Sequence, residues 1–271
     1  MHFPFNIKFG NFEIPSHLLF ETIAFLIGFK YYLILRKKEK DLLTSDERLW
    51  VLIAVCVGAL FFSRFIAVME HIEMINSDTP LLFYYSQKTI VGGLLGGLIA
   101  VEITKKILGI KVSSGDIMTY PLILGIMIGR IGCFLAGLED GTYGTETSFI
   151  LGIDFGDGII RHPTQVYEIL FLLLLWIFIQ ILEIPLITSS INRKLGNKIQ
   201  VNHCLPNGLK FKIFLFNYLL FRFGIEFIKP VSKFYLELSF IQISCLLGIL
   251  YYCFLLLKYY SMNKDMFNKA E

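Results

Sequence analysis

Seven runs of apolar residues, separated by polar stretches, set the pattern of this chain. They fall at about 16–35, 49–69, 83–103, 116–137, 164–187, 213–228 and 239–257. A helix needs roughly 20 apolar residues to cross the hydrocarbon layer of a membrane, and most of these runs reach that length. The pattern predicts an all-α integral membrane protein, with seven transmembrane helices in one bundle and a single domain over residues 1–271. Residues 1–15 read as an interfacial lead-in and lack the basic-then-apolar order of a cleavable signal. The connector at about 138–163 is long and rich in Gly, Asp and Thr. Loops of that length are often functional.

Composition agrees with the pattern: 55% of the 271 residues are hydrophobic. The net charge of +3 is small, and no long basic face interleaves with aromatics, so no nucleic-acid partner is expected. Charge does orient the chain. The connectors after spans one, three, five and seven hold 16 Lys and Arg, against four in the opposite set, namely Lys8, Arg161, Lys229 and Lys233. The excess of cations on cytoplasmic loops then places the N-terminus outside and the C-terminus in the cytoplasm.

With that orientation, the charges inside the apolar runs collect at one depth. His17 and Glu21 stand in the first two turns of span one, Arg64 near the outer end of span two, and Lys88 in the second turn of span three. Arg130 lies two turns from the outer end of span four; His162, Tyr167 and Glu168 open span five; Arg222 and Glu226 lie in the outer half of span six, with Tyr218 a turn deeper. The inner half has little beyond Lys30 and Glu102. Snorkelling would spread charge over both ends, so this asymmetry predicts a polar cavity opening toward the outer leaflet. Four cations there suit an anionic ligand, and the planar fork of arginine suits phosphate.

Other features read structurally. Arg222 and Glu226, four apart, can form a salt bridge or line a wall together. The glycines of Gly92–Gly97, and Gly125 with Gly129, have small-xxx-small spacing, which predicts close crossing of spans three and four. Asp154–Gly158 is turn chemistry, with calcium only weakly signalled. Five cysteines show no metal spacing, and four lie in apolar runs. His17 and Glu21 share a helix face, but a metal needs a third and fourth ligand. No metal and no cofactor are expected.

Three segments carry a resemblance. Gly129, Arg130, Gly132, Phe134 and Gly141 match a G-R-x-G-N-F-x-N-x-E-x-x-G signature. His162-Pro163-Thr164-Gln165-Val166-Tyr167-Glu168 is close to H-P-S-Q-L-Y-E. Arg222–Pro230 is similar to R-F-x-x-E-F-x-R-x-P, with Tyr218 four residues before the arginine. Together they resemble the prolipoprotein diacylglyceryl transferase family. Asp116 and Gln242 also look like family positions. Five residues depart from it: Val91 stands for a histidine, Cys133 and Ala136 for asparagines, Leu138 for the glutamate, with Glu139 one residue on, and Glu21 for a tyrosine in span one.

The resemblance implies a bacterial cytoplasmic (inner) membrane enzyme whose active site faces the outer leaflet, with residues 138–163 as a periplasmic loop. It implies transfer of a diacylglyceryl group from phosphatidylglycerol to the lipobox cysteine of a prolipoprotein signal peptide. On that reading Arg130 and Arg222 hold the phosphodiester, assisted by Lys88 or Arg64, and Glu226 orients Arg222. Glu21 with His17, or His162, takes the thiol proton. Tyr218, Glu139, Gly141, Tyr167 and Glu168 complete the substrate surface. A non-catalytic phospholipid-binding paralogue and an anionic-solute transporter stay open as alternatives.

Overall fold

A computed structural model of the chain describes residues 3–9, 12–38, 43–72, 75, 80–184, 205–231, 233 and 237–268. The expectations for Lys40, Glu73, Asp78, Arg193, Lys194, Lys198, Cys204 and Lys269 lie outside those residues. Helices dominate: α1 (Ser16–Lys38), α2 (Ser45–Glu70), α3 (Leu81–Ser86), α4 (Ile90–Ile107), α5 (Thr119–Ala136), α6 (Thr164–Leu182), α7 (Leu209–Ile225) and α8 (Phe240–Asn268). Two short antiparallel hairpins join them: β1 (Ile7–Phe9) with β2 (Phe12–Ile14), Ile7 opposite Ile14, and β3 (Ile153–Asp154) with β4 (Ile160–Arg161). The expected N-terminal lead-in thus contains a hairpin, tied to the end of α5 by the Phe5 amide donating to Leu135 O at 2.9 Å.

Among the described residues, four segments are long and apolar enough to cross a membrane: Ser16–Lys38, Ser45–Glu70, Asp116–Asp140 and Thr164–Leu182, with a shorter apolar stretch at Phe240–Leu255. Their outward faces carry Phe25, Leu26, Phe61 and Leu174, each more than 60% exposed. Helices that show large apolar side chains outward as well as inward suit a hydrocarbon surround.

The chain divides into two compact units. The first comprises Met1–Thr44, Val112–Phe214 and Phe227–Pro230. Here α5 packs on α1, where Gly28 lets the backbone of Pro121 approach, and Gly132 sits over Phe20. Asp116 caps the start of α7, its carboxylate accepting from the amides of Gly208 and of Phe211 (2.9 Å). That satisfies donors a helix N-terminus leaves open. Glu183 ends α6, accepting from Tyr120 Oη and pairing with Lys210 Nζ at 2.6 Å. The remainder of the expected fifth span, to Ile187, lies outside the described residues.

The second unit comprises Ser45–Lys111, Leu215–Glu226 and Val231–Glu271. Its centre is α2 against α4. A Cβ on Gly96 would run into Gly58 O and Phe62, and one on Gly92 into Phe62 O. The glycine run of span three is therefore closed by span two, and a Cβ on Gly125 of span four would lie 3.6 Å from Ala24 O of α1. The spacing signalled a close backbone approach, but spacing carries no information about the partner. The third run also breaks. Thr89 is extended (φ −127°, ψ 141°) and its Oγ1 accepts from the Gly92 amide at 3.1 Å, so α4 begins at Ile90. Lys88 thus precedes the helix as an exposed side chain, instead of lying in its second turn.

The 138–163 segment is ordered by its own polar groups. Asp154 Oδ1 accepts from the amides of Gly156 (2.7 Å) and Gly158 (3.0 Å), both glycines at positive φ. This is the turn predicted there. Gly144 N donates to His162 O (2.8 Å), Thr145 N to Ile228 O (2.8 Å), Thr147 N to Ile160 O (2.9 Å) and His162 N to Thr145 O (3.1 Å). Arg161 pairs with Asp157 at 2.7 Å and lies over the Tyr143 ring. Arg161 holds the Asp157 carboxyl below the usual carboxylate range. Folding depresses this pKa, so the ion pair steadies the folded loop at neutral pH, and the effect is lost as pH falls through the depressed value. Hydrogen-exchange protection of the Ile159 amide is expected to fall across that acid window. In Asp157→Asn, which cannot titrate, no such step is expected.

Candidate functional site

The first unit builds its site around Arg130. The helix α5 is apolar for two turns before it, and the arginine is only 6% exposed. An unpaired charge at such a position is costly, and Glu168 answers it: Glu168 Oε2 lies 2.9 Å from Arg130 Nε, with the glutamate 2% exposed. The carboxylate comes from the second turn of α6, 38 positions along the chain. Arg130 Nη1 also reaches Cys133 Sγ at 3.7 Å, one turn further along α5. The arginine is thus held from two directions.

Beyond Cys133 the polar chain continues. Cys133 Sγ is 3.8 Å from His17 Nδ1, and the same ring nitrogen is 2.8 Å from Asp140 Oδ1. His17 Nε2 faces Glu21 at 3.7 Å, one turn on along α1. Asp140 stands in the 3₁₀ turn Gly137–Asp140 that follows α5. Gly137 and Gly141, both at positive φ, shape that turn. Thr142 Oγ1 donates to Asp140 Oδ2, and Thr164 Oγ1 donates to the Thr142 carbonyl. The start of α6 therefore fixes the carboxylate facing His17.

His162 and Tyr167 form a separate pair, Nδ1 to Oη at 3.1 Å. Glu139 is exposed, and Gly141 is exposed with no atom near its missing Cβ, while the neighbouring Asp140 turns into the cluster. Sequence reasoning passed over two residues here. Asp140 was hidden behind Glu139, the acid next to Leu138, where the family pattern has its glutamate. Gln165 is 1% exposed, and its side-chain amide has no hydrogen-bond partner among the described residues. Buried amides of that kind cost about 1–3 kcal/mol unless a ligand or water pairs with them. Its position in the His162–Glu168 segment was the available signal.

The second unit holds its own buried ion pair. Arg222 Nη2 lies 3.1 Å from Glu226 Oε2, the partners 4% and 1% exposed. Tyr218, one turn before, is fully buried. Gln242 Nε2 donates to Phe223 O at 3.3 Å, and Gln242 and Ser239 cap one another at the start of α8. Glu70, expected among the acidic residues leaving span two, is buried, and its Oε2 accepts from the Ile241 amide at 2.9 Å. Arg64 lies apart from this group, its guanidinium 4.7 Å over the Tyr85 ring and donating to Leu60 O.

These observations define the class: a mostly helical membrane protein in which two of the helices fit to cross a bilayer share a buried arginine–glutamate pair, with a second such pair at the end of α7. A profile of the family described as prolipoprotein diacylglyceryl transferase matches residues 4–258. The chain belongs to that family. Individual relatives are similar at low identity. The phosphatidylglycerol–prolipoprotein diacylglyceryl transferase of Geobacter sulfurreducens is 28% identical over 239 residues, 83% of this chain and 82% of that protein. A protein of the same name from Dehalococcoides mccartyi strain 195 is 26% identical over 209 residues, 74% and 72% of the two chains. The one from the Wolbachia endosymbiont of Brugia malayi is 27% identical over 166 residues, 58% and 62%. Against the Wolbachia relatives, the chain spans less than two thirds of their length.

Proposed function

We propose that this protein transfers the diacylglyceryl group of phosphatidylglycerol to the lipobox cysteine of prolipoproteins. The observation that carries the reading is Arg130, buried in an apolar helix, held by Glu168, and set in the family's own signature segment. The reaction needs a cation for the departing phosphate and a base for the thiol. Arg130 supplies the first requirement in the first unit, and Arg222, positioned by Glu226, supplies a cation in the second. Lys88 and Arg64 add positive charge. Tyr218, Tyr167, Glu168, Glu139 and Gly141 contribute to substrate binding. His162, held by Tyr167, or Glu21 with His17, takes the thiol proton.

The proposed setting is the bacterial inner membrane. The chain is one domain with seven spans, its N-terminus outside, its C-terminus in the cytoplasm and its site toward the outer leaflet. Residues 138–163 form a periplasmic loop. The cation asymmetry of the connectors supports this orientation.

Val91 favours a second reading, a phospholipid-binding protein without transfer activity. It is 1% exposed in α4, where the family carries a histidine. Incubating the purified protein with labelled phosphatidylglycerol and a lipobox peptide separates the two. A thioether-linked diacylglyceryl peptide is expected. Binding of the lipid with no modified peptide would leave the second reading standing. Full activity in both Glu21→Gln and His162→Ala would remove both base assignments.

A further inference from the structure

His17, Cys133 and Asp140 each offer one ligand atom, and the three atoms lie within 4.8 Å of one another. We propose that these residues bind a zinc ion whose fourth position takes the thiol of the substrate cysteine. The proposal rests on the transferase reading only for that fourth ligand.

The donor set is one imidazole nitrogen, one sulfur and one carboxylate oxygen, which is zinc chemistry. Calcium and magnesium would want oxygen alone. Zinc bond lengths of about 2.0–2.3 Å and tetrahedral angles put bound nitrogen and sulfur about 3.6 Å apart, and nitrogen and oxygen about 3.4 Å. The observed separations are 3.8 Å for His17 Nδ1 to Cys133 Sγ and 2.8 Å for His17 Nδ1 to Asp140 Oδ1. Binding would need the carboxylate to move about 0.6 Å from the imidazole to admit the ion, and Cys133 Sγ and the Asp140 carboxylate, within 4.8 Å of each other, to close toward about 3.6 Å.

The surroundings point the same way. Metal-ligating histidines present their other ring nitrogen to a carboxylate or carbonyl, and ligating carboxylates are themselves hydrogen-bonded. Glu21 faces His17 Nε2, and Thr142 donates to Asp140 Oδ2, leaving Oδ1 for the ion. Three elements, α1, α5 and the turn after it, supply the ligands, so the site is built by the fold of the first unit. Cys133 is buried while the His17 side chain is 35% exposed, which leaves an open side for a fourth ligand. Three protein ligands with one open position is the arrangement of a catalytic zinc site. From sequence, only His17, Glu21 and His162 were visible as ligands. Cys133 and Asp140 supply what that set lacked.

The chemistry addresses the loss of the family histidine at Val91. A thiol bound to zinc is acidified, so its proton passes readily to Glu21 or His162, the bases of the transferase reading. The zinc-bound thiolate then attacks the glycerol carbon that carries the phosphodiester. The new S–C bond forms as the C–O bond breaks, and the C–O electron pair leaves with glycerol phosphate. No oxidant or reductant is needed.

The test uses the full-length protein purified in detergent and reconstituted with zinc, then with cobalt. About one zinc per chain is expected, falling below a tenth of that in His17→Ala, Cys133→Ala and Asp140→Asn. Glu21→Gln is expected to weaken zinc binding about 10–100-fold without abolishing it. Cobalt should give a thiolate-to-metal charge-transfer band that is lost in Cys133→Ser, a variant of nearly unchanged size that guards against misfolding. A lipobox peptide should intensify the band, and the same peptide with alanine for cysteine should not. No bound zinc in the folded wild type, or zinc retained in all three ligand variants, would overturn the site. An unchanged band on adding peptide would overturn the role of the fourth ligand. Transfer is measured separately. Zinc at these residues without any transfer would sink the transferase reading and keep the site, whereas undiminished transfer in zinc-free protein would do the reverse.

Discussion

On the proposed transferase reading, replacing Arg130 by lysine is expected to lower diacylglyceryl transfer by about 10²–10³-fold while the protein stays folded. Lysine can still face Glu168 as a point charge, so the buried carboxylate keeps a cation. It cannot pair in one direction and hold phosphate in another, which the guanidinium fork allows. Alanine is a poorer test, because it takes the guanidinium away from Glu168, a carboxylate only 2% exposed. Breaking a buried pair on one side costs about 3–5 kcal/mol. The double variant Arg130→Leu with Glu168→Gln is therefore expected to be more stable than Arg130→Ala and equally inactive. Thermal unfolding in detergent and the transfer assay read the two effects separately. A lysine variant within a few-fold of the wild type would remove Arg130 from phosphate binding.

A second large effect is expected at Gly96, this time on stability. Its missing Cβ would fall on the carbonyl of Gly58 and on Phe62, so even alanine must push α2 and α4 apart. Backbone does not yield as a flexible side chain does. Overpacking of this kind costs about 1–3 kcal/mol or more, and leucine at the same position is expected to prevent stable folding. Gly93 supplies the control. A Cβ there would meet only Ser63 Cβ at 3.9 Å and Ala59 O at 4.0 Å, which are ordinary contacts. Gly93→Ala is expected to be neutral or to raise the melting temperature slightly, since alanine favours helix by about 1 kcal/mol. Equal melting temperatures for Gly96→Ala and Gly93→Ala would contradict the close approach of α2 and α4.

The helices were readable in the sequence because hydrocarbon demands long apolar runs, and α1, α2, α5 and α6 lie close to where the runs placed them. Pairing was readable only where it is local. Arg222 and Glu226 stand four apart, so one turn of helix brings them together. Arg130 and Glu168 are joined by the packing of α5 on α6, and no spacing announces that. The break before α4 was hidden because Thr89 looks like any polar residue at the edge of an apolar run. Its extended backbone, tied to Ser63 at 3.1 Å, shows the cap. Asp140 was obscured for a similar reason: which of two adjacent acids faces inward depends on the 3₁₀ turn that Gly137 and Gly141 permit.

The stitching of residues 144–162 bears on how a lipid reaches Arg130. Four backbone hydrogen bonds hold that segment, one of them to Ile228. Three of them close the segment on itself, so it behaves as one folded piece, and the Thr145–Ile228 bond, worth about 1 kcal/mol, ties that piece to the chain beyond. On the proposed transferase reading, entry through the plane of the bilayer needs no movement of that piece, and the acyl chains never leave hydrocarbon. Turnover would then follow the mole fraction of phosphatidylglycerol in the surrounding membrane, and adding neutral lipid at fixed bulk concentration would slow it by dilution alone.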